Sequence, residues 1–214
     1  MGLPINKLIC ASNVNKVLTD FIETGVYDRN RDFYATCSPS MDILISSNLE
    51  RLLYMITDQN DAQIREWFGS LAETGRYEVT DDVKKVLKEE FFGGYCDDEQ
   101  TKATISEIYK KYSYTCDTHT AVAVKVYEDY KKATGDETKT LIASTASPYK
   151  FSASVLEAIE GKKSELDEYD MVARLAELSV PSALADLKNK ERRFTGSIEK
   201  SDMNSYVLKD FGLA

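Results

Sequence analysis

The chain predicts an α/β fold that is predominantly helical, with a partial parallel sheet of few strands. Two short apolar runs read as strands, residues 7–11 and 140–144, and more than a hundred residues of helical character separate them. Two such strands can be neighbours in a parallel sheet, since a parallel pair needs a long crossover. Parallel sheets, however, are normally covered on both faces and contain more than two strands. The pattern therefore implies an incomplete sheet whose other strands come from elsewhere, and residues 34–37 are one further candidate.

Each element has its own local reason. Residues 7–11 are apolar and rich in residues that strands tolerate; Ser12 and Asn13 follow as expected helix caps, and Gly25 as the stop. Met41, Ile43, Leu44, Ile45, Leu49, Leu52, Leu53 and Ile56 form the broad apolar stripe of one buried helix opened after Pro39. Asn60 caps the next helix, in which Ile64, Trp67, Phe68 and Leu71 share a face before Gly75. Thr80, Asp81 and Asp82 put acidic charge at the positive end of a helix carrying Val83, Val86, Leu87 and Phe91, and Gly93 and Gly94 break it.

Two further helices are expected at about 99–112 and 118–134, the second with Ala121, Val122, Tyr127 and Tyr130 as packing positions and Gly135 as its stop. The strand at 140–144 follows, then Pro148 and a helix over 151–159 closed by Gly161. The remainder offers a helix at about 169–178, a short one opened at Pro181, an extended piece at 194–198 and a last helix capped by Ser201. No internal repeat or low-complexity linker interrupts this order.

Composition narrows the functional classes. With 43% hydrophobic residues, 214 positions suffice for a core. The balance of 27 basic against 36 acidic side chains gives a formal charge of −9, the wrong sign for a nucleic-acid or anionic-membrane surface. No apolar run reaches the roughly 18–20 residues of a membrane span, and no leader pattern opens the chain, so a cytoplasmic protein is expected. Cys10, Cys37, Cys96 and Cys116 are widely spaced and accompany a single histidine. That arrangement does not suggest a metal centre, and reduced, mostly buried thiols are expected.

One stretch carries chemistry. From Leu141 to Phe151 the chain reads L-I-A-S-T-A-S-P-Y-K-F, an apolar run entering a Ser/Thr turn and then a helix opened by proline. Hydroxyls at the carboxyl end of a strand occupy the place where open α/β sheets hold ligands. The same hydroxyls of Ser144 and Thr145 are equally the side chains that cap a following helix.

This stretch resembles the S-T-A-H-P-A-K-F segment of threonine synthase, a pyridoxal-phosphate enzyme of fold type II. The segments L-P-I-N-K-L-I-C-A-S-N ending at Asn13, V-L-T-D-F from Val17, S-P-S-M-D-I from Ser38, S-S-N-L-E-R from Ser46 and D-T-H-T-A from Asp117 follow in that family's order and spacing. The match is collinear over roughly residues 1–155, with a weaker tail. Two positions depart from the pattern: Ser147 stands where the family has histidine, and Thr118 where it commonly has proline before His119.

The resemblance implies the carboxyl-terminal part of an enzyme that converts O-phospho-L-homoserine and water to L-threonine and phosphate. It implies that the Schiff-base lysine and the loop cradling the cofactor phosphate lie upstream of Leu3, so no catalytic residue is assigned in this chain. Pyridoxal 5′-phosphate is expected in the intact enzyme and none on this chain by itself. Thr145 takes the family's position facing the pyridine nitrogen, with Ser144 beside it; Ser38, Ser40, Asp42 and Lys150 fall in the active-site neighbourhood, and His119 is read as a helix-start or packing residue. Residues 1–160 would form part of the large cofactor-binding domain, with a peripheral helical region at about 58–112, and residues 161–214 a helical tail. The expected partners are the amino-terminal half of the same enzyme and a small-molecule substrate, with self-association of the separate fragment. Two alternatives stand beside this reading: a related phospholyase acting on another phosphorylated amino acid, and an interaction module that keeps the fold remnant without chemistry.

Overall fold

A computed structural model describes residues 3–175 and 181–213. Its contacts divide into two compact units, Met1–Leu175 and Ala176–Ala214.

The first unit is organised around strand β1, Leu8–Ser12, which confirms the expected first strand to within a residue. Its parallel partner is β4, Phe91–Tyr95, with Cys10 opposite Gly93 and Ala11 opposite Gly94. Sequence reasoning read this glycine pair as a helix break, and the structure corrects that. Alternate strand residues face opposite sides of a sheet. A Cβ on Gly93 would lie 3.0 Å from the Thr19 backbone in helix α1, Val17–Thr24, whereas one on Gly94 would lie 2.5 Å from Val126 in helix α6, Thr118–Thr134. The two glycines therefore let helices press onto both faces of the pair, the covering that a parallel ladder demands.

Residues 140–144, expected as the second strand, form no regular element. A strand needs a ladder partner for its backbone groups. No described strand lies beside this segment, and Leu141 is 93% exposed. Residues 34–37 likewise lie outside any strand; their backbone amides are taken by side chains, Tyr34 N–H by Asn15 and Thr36 N–H by Asp42.

Two three-residue strands, β2 (Val26–Asp28) and β3 (Arg76–Glu78), pair antiparallel and were too short to register as periodicity. Each follows a helix closed by a left-handed glycine: Gly25 after α1, and Gly75 after α3, Asp61–Thr74. The register sets Tyr27 opposite Tyr77, whose rings stack at 5.3 Å and 2°. Phe21, Trp67 and Phe68 surround them. This aromatic group joins Leu53, Leu71, Val83 and Leu87 in one hydrophobic core.

The single helix expected from Met41 to Ile56 is divided. Residues Pro39–Met41 make one 3-10 turn, and α2 begins only at Asn48, ending at Ile56. The cause is local capture of the intervening backbone. The Tyr27 hydroxyl donates to the Leu44 carbonyl at 3.0 Å and accepts the Ser46 N–H at 2.8 Å. Groups held this way are lost to a continuous helix.

Helix α4, Asp81–Glu90, runs directly into β4. Helix α5, Asp98–Tyr112, opens with a reciprocal capping box between Asp97 and Gln100, and α6 starts and stops where the sequence placed it. Helix α7, Ser152–Glu160, is closed by Gly161 as expected, and α8, Glu168–Leu175, packs Met171 and Leu175 against it. Together with Ile105, Cys116, Ala121, Val155 and Leu156 these make a second core that shares no residue with the first. The expected extension of α8 beyond 175 lies outside the described residues.

In the second unit, α9 (Ser182–Ala185) and α10 (Met203–Asp210) carry no buried residue. Residues 194–198 form no strand and stay exposed, and Ser201 lies inside a 3-10 turn with Asp202 at the helix cap position. Among the described residues no helix is long and apolar enough to cross a membrane.

The close fit at Gly94 gives a test. Gly94→Ala should destabilise the first unit by about 1–3 kcal/mol through overpacking. Val126→Ala in the same chain should recover part of that loss by removing the opposing methyl groups. Denaturant unfolding of the two single variants and the double variant measures the coupling; strictly additive losses would show that the two positions do not meet.

Candidate functional site

The site begins where β1 ends. Sequence reasoning gave Ser12 and Asn13 to a helix cap, but α1 starts four residues later, at Val17. Asn13 is buried and turns the chain instead: its Oδ1 accepts the Asn15 N–H at 2.9 Å. Its amide is thereby aimed at the loop over residues 34–42. Asn13 Nδ2 donates to Asp42 Oδ1 at 2.7 Å, to Thr36 Oγ1 at 2.9 Å and to Ser38 Oγ at 3.1 Å.

Other groups complete the loop. Thr36 donates its hydroxyl to Asp42 Oδ1 at 2.7 Å and its N–H to Oδ2 at 3.0 Å, and Asn15 Nδ2 donates to Asp42 Oδ1 at 3.2 Å. Asp42 thus accepts three hydrogen bonds on Oδ1 and one on Oδ2, and Ser38, fully buried, is a member of the same network. The predicted pair Ser38 and Asp42 is brought together, and both serve to shape the loop. Between Thr36 and Ser38, Cys37 N–H is held by the Asp98 carboxylate at 3.2 Å to each oxygen, which fixes the loop to the start of α5.

The second half of the site is the amino terminus of α6. Asp117 is 1% exposed; its Oδ1 accepts the N–H of His119 at 2.8 Å and of Thr120 at 3.2 Å, while Oδ2 accepts the Thr120 hydroxyl. This is an N-cap that uses both carboxylate oxygens. Thr120 Oγ1 in turn lies 3.1 Å from Ser144 Oγ, placing that exposed hydroxyl against the helix start. Thr145 is exposed beside it, and Lys150 is exposed with its Nζ 5.3 Å from the Phe151 ring centre.

His119 joins the two halves. Its imidazole is 3% exposed and lies 4.7 Å, centre to centre, from Phe151. The N–H of Ser40 donates to His119 Nε2 at 3.1 Å. A ring nitrogen that accepts carries no proton, so the ring is neutral with its hydrogen on Nδ1. Nδ1 lies 3.3 Å from both Asp117 Oδ1 and Thr118 Oγ1. Burial pushes the His119 pKa below its ordinary value, the Asp117 charge opposes that shift, and Lys150 adds to it.

Of the residues singled out in the sequence, Ser38 and Asp42 share one hydrogen-bonded network through Asn13, and Ser40 and Ser144 are connected in a second through His119, Asp117 and Thr120; the backbone from Ser38 to Asp42 joins the two. Thr145 and Lys150 sit on its exposed margin. Asn13, Asn15, Thr36 and Thr120 were missed. The signal that could have found them is the run of short polar side chains directly after the first strand, together with an aspartate three positions before a threonine at a helix start.

The thiols take no such part. Cys37 is pushed up to about 12 by burial and by Asp98, and Cys116 to about 12 by burial and Asp117, so neither is a ready nucleophile. Among the described residues no group of three or more His, Cys, Asp and Glu side chains is arranged to hold a metal ion.

Comparison with known proteins places this geometry. Residues 120–206 match the family model described as threonine synthase, C-terminal. The human protein named threonine synthase-like 1 is 35% identical over 214 residues, covering 98% of this chain and 28% of its own length. The crystal structure of pyridoxal-phosphate-bound threonine synthase from Brucella melitensis superposes with a TM-score of 0.76 at 32% identity, covering 97% of this chain and 41% of that one. The yeast threonine synthase structure gives a TM-score of 0.80 at 29% identity over the whole of this chain and 44% of its own. The chain therefore spans between about a quarter and less than half of the relatives it matches. Sequence motifs, the helical α/β fold and these similarities agree: the chain matches the carboxyl-terminal region of threonine synthases.

Proposed function

We propose that this chain forms one wall of the active site of a pyridoxal-phosphate-dependent threonine synthase, which converts O-phospho-L-homoserine and water to L-threonine and phosphate. The observation that carries the reading is the meeting of two segments about a hundred residues apart. The loop at Ser38–Asp42 and the hydroxyl turn at Ser144–Thr145 are joined through one helix start, by the Ser40 N–H to His119 and by Thr120 to Ser144.

The residues present fit the edge of such a cofactor. Ser144 is held by Thr120 yet exposed, and Thr145 beside it is an exposed neutral hydroxyl, able to donate to a pyridine nitrogen without imposing the protonation that a carboxylate would. When bound, the cofactor supplies the electron sink for proton removal, phosphate elimination and hydration at the β-carbon. Thr145 would orient the ring, Ser144 would hold the turn, and the exposed Lys150 would attract the substrate phosphate. Asp42, held by Asn13, Asn15 and Thr36, keeps the neighbouring loop in shape.

In this reading residues 1–160 belong to the large cofactor-binding domain, the enzyme is cytoplasmic, and the remaining part of the enzyme supplies the rest of the site. The chain on its own is not catalytically competent. A second reading is a threonine-synthase-like phospholyase acting on another phosphorylated amino acid, which the same fold could host.

Thr145→Val in the whole enzyme should lower turnover and alter the absorbance of the bound cofactor. The lost hydrogen bond is worth about 0.5–1.5 kcal/mol, while the melting of the cofactor-free protein should stay near wild type. Unchanged turnover and spectrum with a large loss of apo stability would instead make the hydroxyl a structural cap. A second outcome concerns assembly: Leu3, Ile5, Leu8 and Leu141 are exposed, and among the described residues the parallel sheet has only two strands. Sedimentation of the isolated chain should show self-association rising with concentration; a single monomeric species throughout, with a sharp melt, contradicts it.

A further inference from the structure

We propose that His119 is a positioning residue that sets the Ser38–Asp42 loop against the Ser144–Thr145 turn, and that it does so only as the neutral Nδ1–H tautomer. The inference rests on reading these two segments as walls of one active site, and it adds a device that sets their separation. The argument is geometric. Asp117 holds two arms at once: Thr120 carries one to Ser144, and the imidazole carries the other to the Ser40 backbone.

Each arm has a different chemistry. The Thr120 arm is a pair of hydroxyls that keep their protons at any physiological pH. The His119 arm depends on an unprotonated Nε2, because an imidazolium has two donors and nothing to offer the Ser40 N–H. Protonation would turn a 3.1 Å hydrogen bond into two facing donors and detach the Ser40 backbone from the start of α6, while Asn13 and Asp98 still hold the rest of the loop. The charged groups facing the ring are Asp117 on its own helix start, Asp42 from the loop, and Lys150 from the turn before α7. Asp117 and Asp42 favour the charged ring; burial and Lys150 oppose it, and burial is the largest influence.

The direction of the pH effect follows. A histidine whose folded pKa lies below the unfolded value binds more protons unfolded than folded in the interval between the two. Stability is therefore complete above the ordinary value near 6.5 and declines as pH falls through that interval. Loss of the loop anchor belongs to the same transition.

The chain contains one histidine, so its imidazole signals are unambiguous. Long-range nitrogen–proton correlation at pH 7 should show protonated Nδ1 and bare Nε2. Amide exchange at Ser40, corrected for its intrinsic pH dependence, should be slow at pH 7 and accelerate as the ring titrates. His119→Phe keeps a ring against Phe151 but has no acceptor, and should speed Ser40 exchange by about tenfold. His119→Gln retains an acceptor and should restore protection without the pH dependence. Thr120→Val should loosen Ser144 and leave Ser40 unchanged.

In the whole enzyme the acid limb of kcat/KM should follow the titration of His119 and disappear in His119→Gln. An Nε2–H tautomer at pH 7, Ser40 exchange indifferent to ring titration, or an acid limb unaltered in His119→Gln would each overturn the proposal. If His119→Phe does not fold, the tautomer and exchange of the wild-type chain still decide. Because the exchange measurements need no cofactor, a failed Thr145→Val result on turnover would remove the cofactor reading while leaving the loop anchor intact.

Discussion

A buried carboxylate governs the geometry of this chain. Asp117 is withdrawn from water, and an ionised carboxylate so placed is tolerable only when its oxygens are filled by donors. Here the donors are two backbone amides, a threonine hydroxyl and the flank of an imidazole, all supplied within three residues. The same set that satisfies the charge starts α6, orients His119 and aims Thr120 at Ser144. Charge burial, helix initiation and site construction are therefore one constraint, and removing the carboxylate would leave each of the other groups without its reference point. The Asp42 network repeats the logic on the opposite side, with Asn13, Asn15 and Thr36 as donors to a carboxylate that shapes a loop.

Much of the helical framework was legible because its signals are local. Asn60 accepts the Gln63 N–H as its position suggested, and Gly25, Gly75, Gly135 and Gly161 all end helices in the left-handed conformation. The first strand was legible for the same reason. The sequence pattern misled where the deciding contact is distant. Phe91–Tyr95 contains a glycine pair that reads locally as a break; only the approach of Thr19 on one face and Val126 on the other gives those glycines their place in a strand. Residues 140–144 present the converse, a strand composition with no described neighbour to pair with. The stripe from Met41 to Ile56 has helical spacing, yet the Tyr27 hydroxyl, a long-range partner, takes the backbone groups a helix needs.

The candidate site divides in the same way. Ser38, Ser40, Asp42, Ser144, Thr145 and Lys150 were identified by resemblance, and the hydrogen bonds show how Ser38 is joined to Asp42 and Ser40 to Ser144. The connecting residues could not be found from spacing, since Asn13 and Asp42 are 29 apart and Ser40 and His119 are 79 apart. His119 in particular was read as a packing or helix-start residue. It is both, and its acceptor nitrogen is the part that no local pattern announces.

The two hydrophobic cores have a consequence for where the site lies. They share no residue, although both belong to one compact unit. One is centred on the stacked tyrosines, the other on α5, α7 and α8. The Ser40–His119 hydrogen bond lies across the division, its donor in a loop whose backbone continues into the first core and its acceptor on a ring packed against Phe151 at the border of the second. The site is thus assembled at a seam, and its width is set by how the two cores pack against each other.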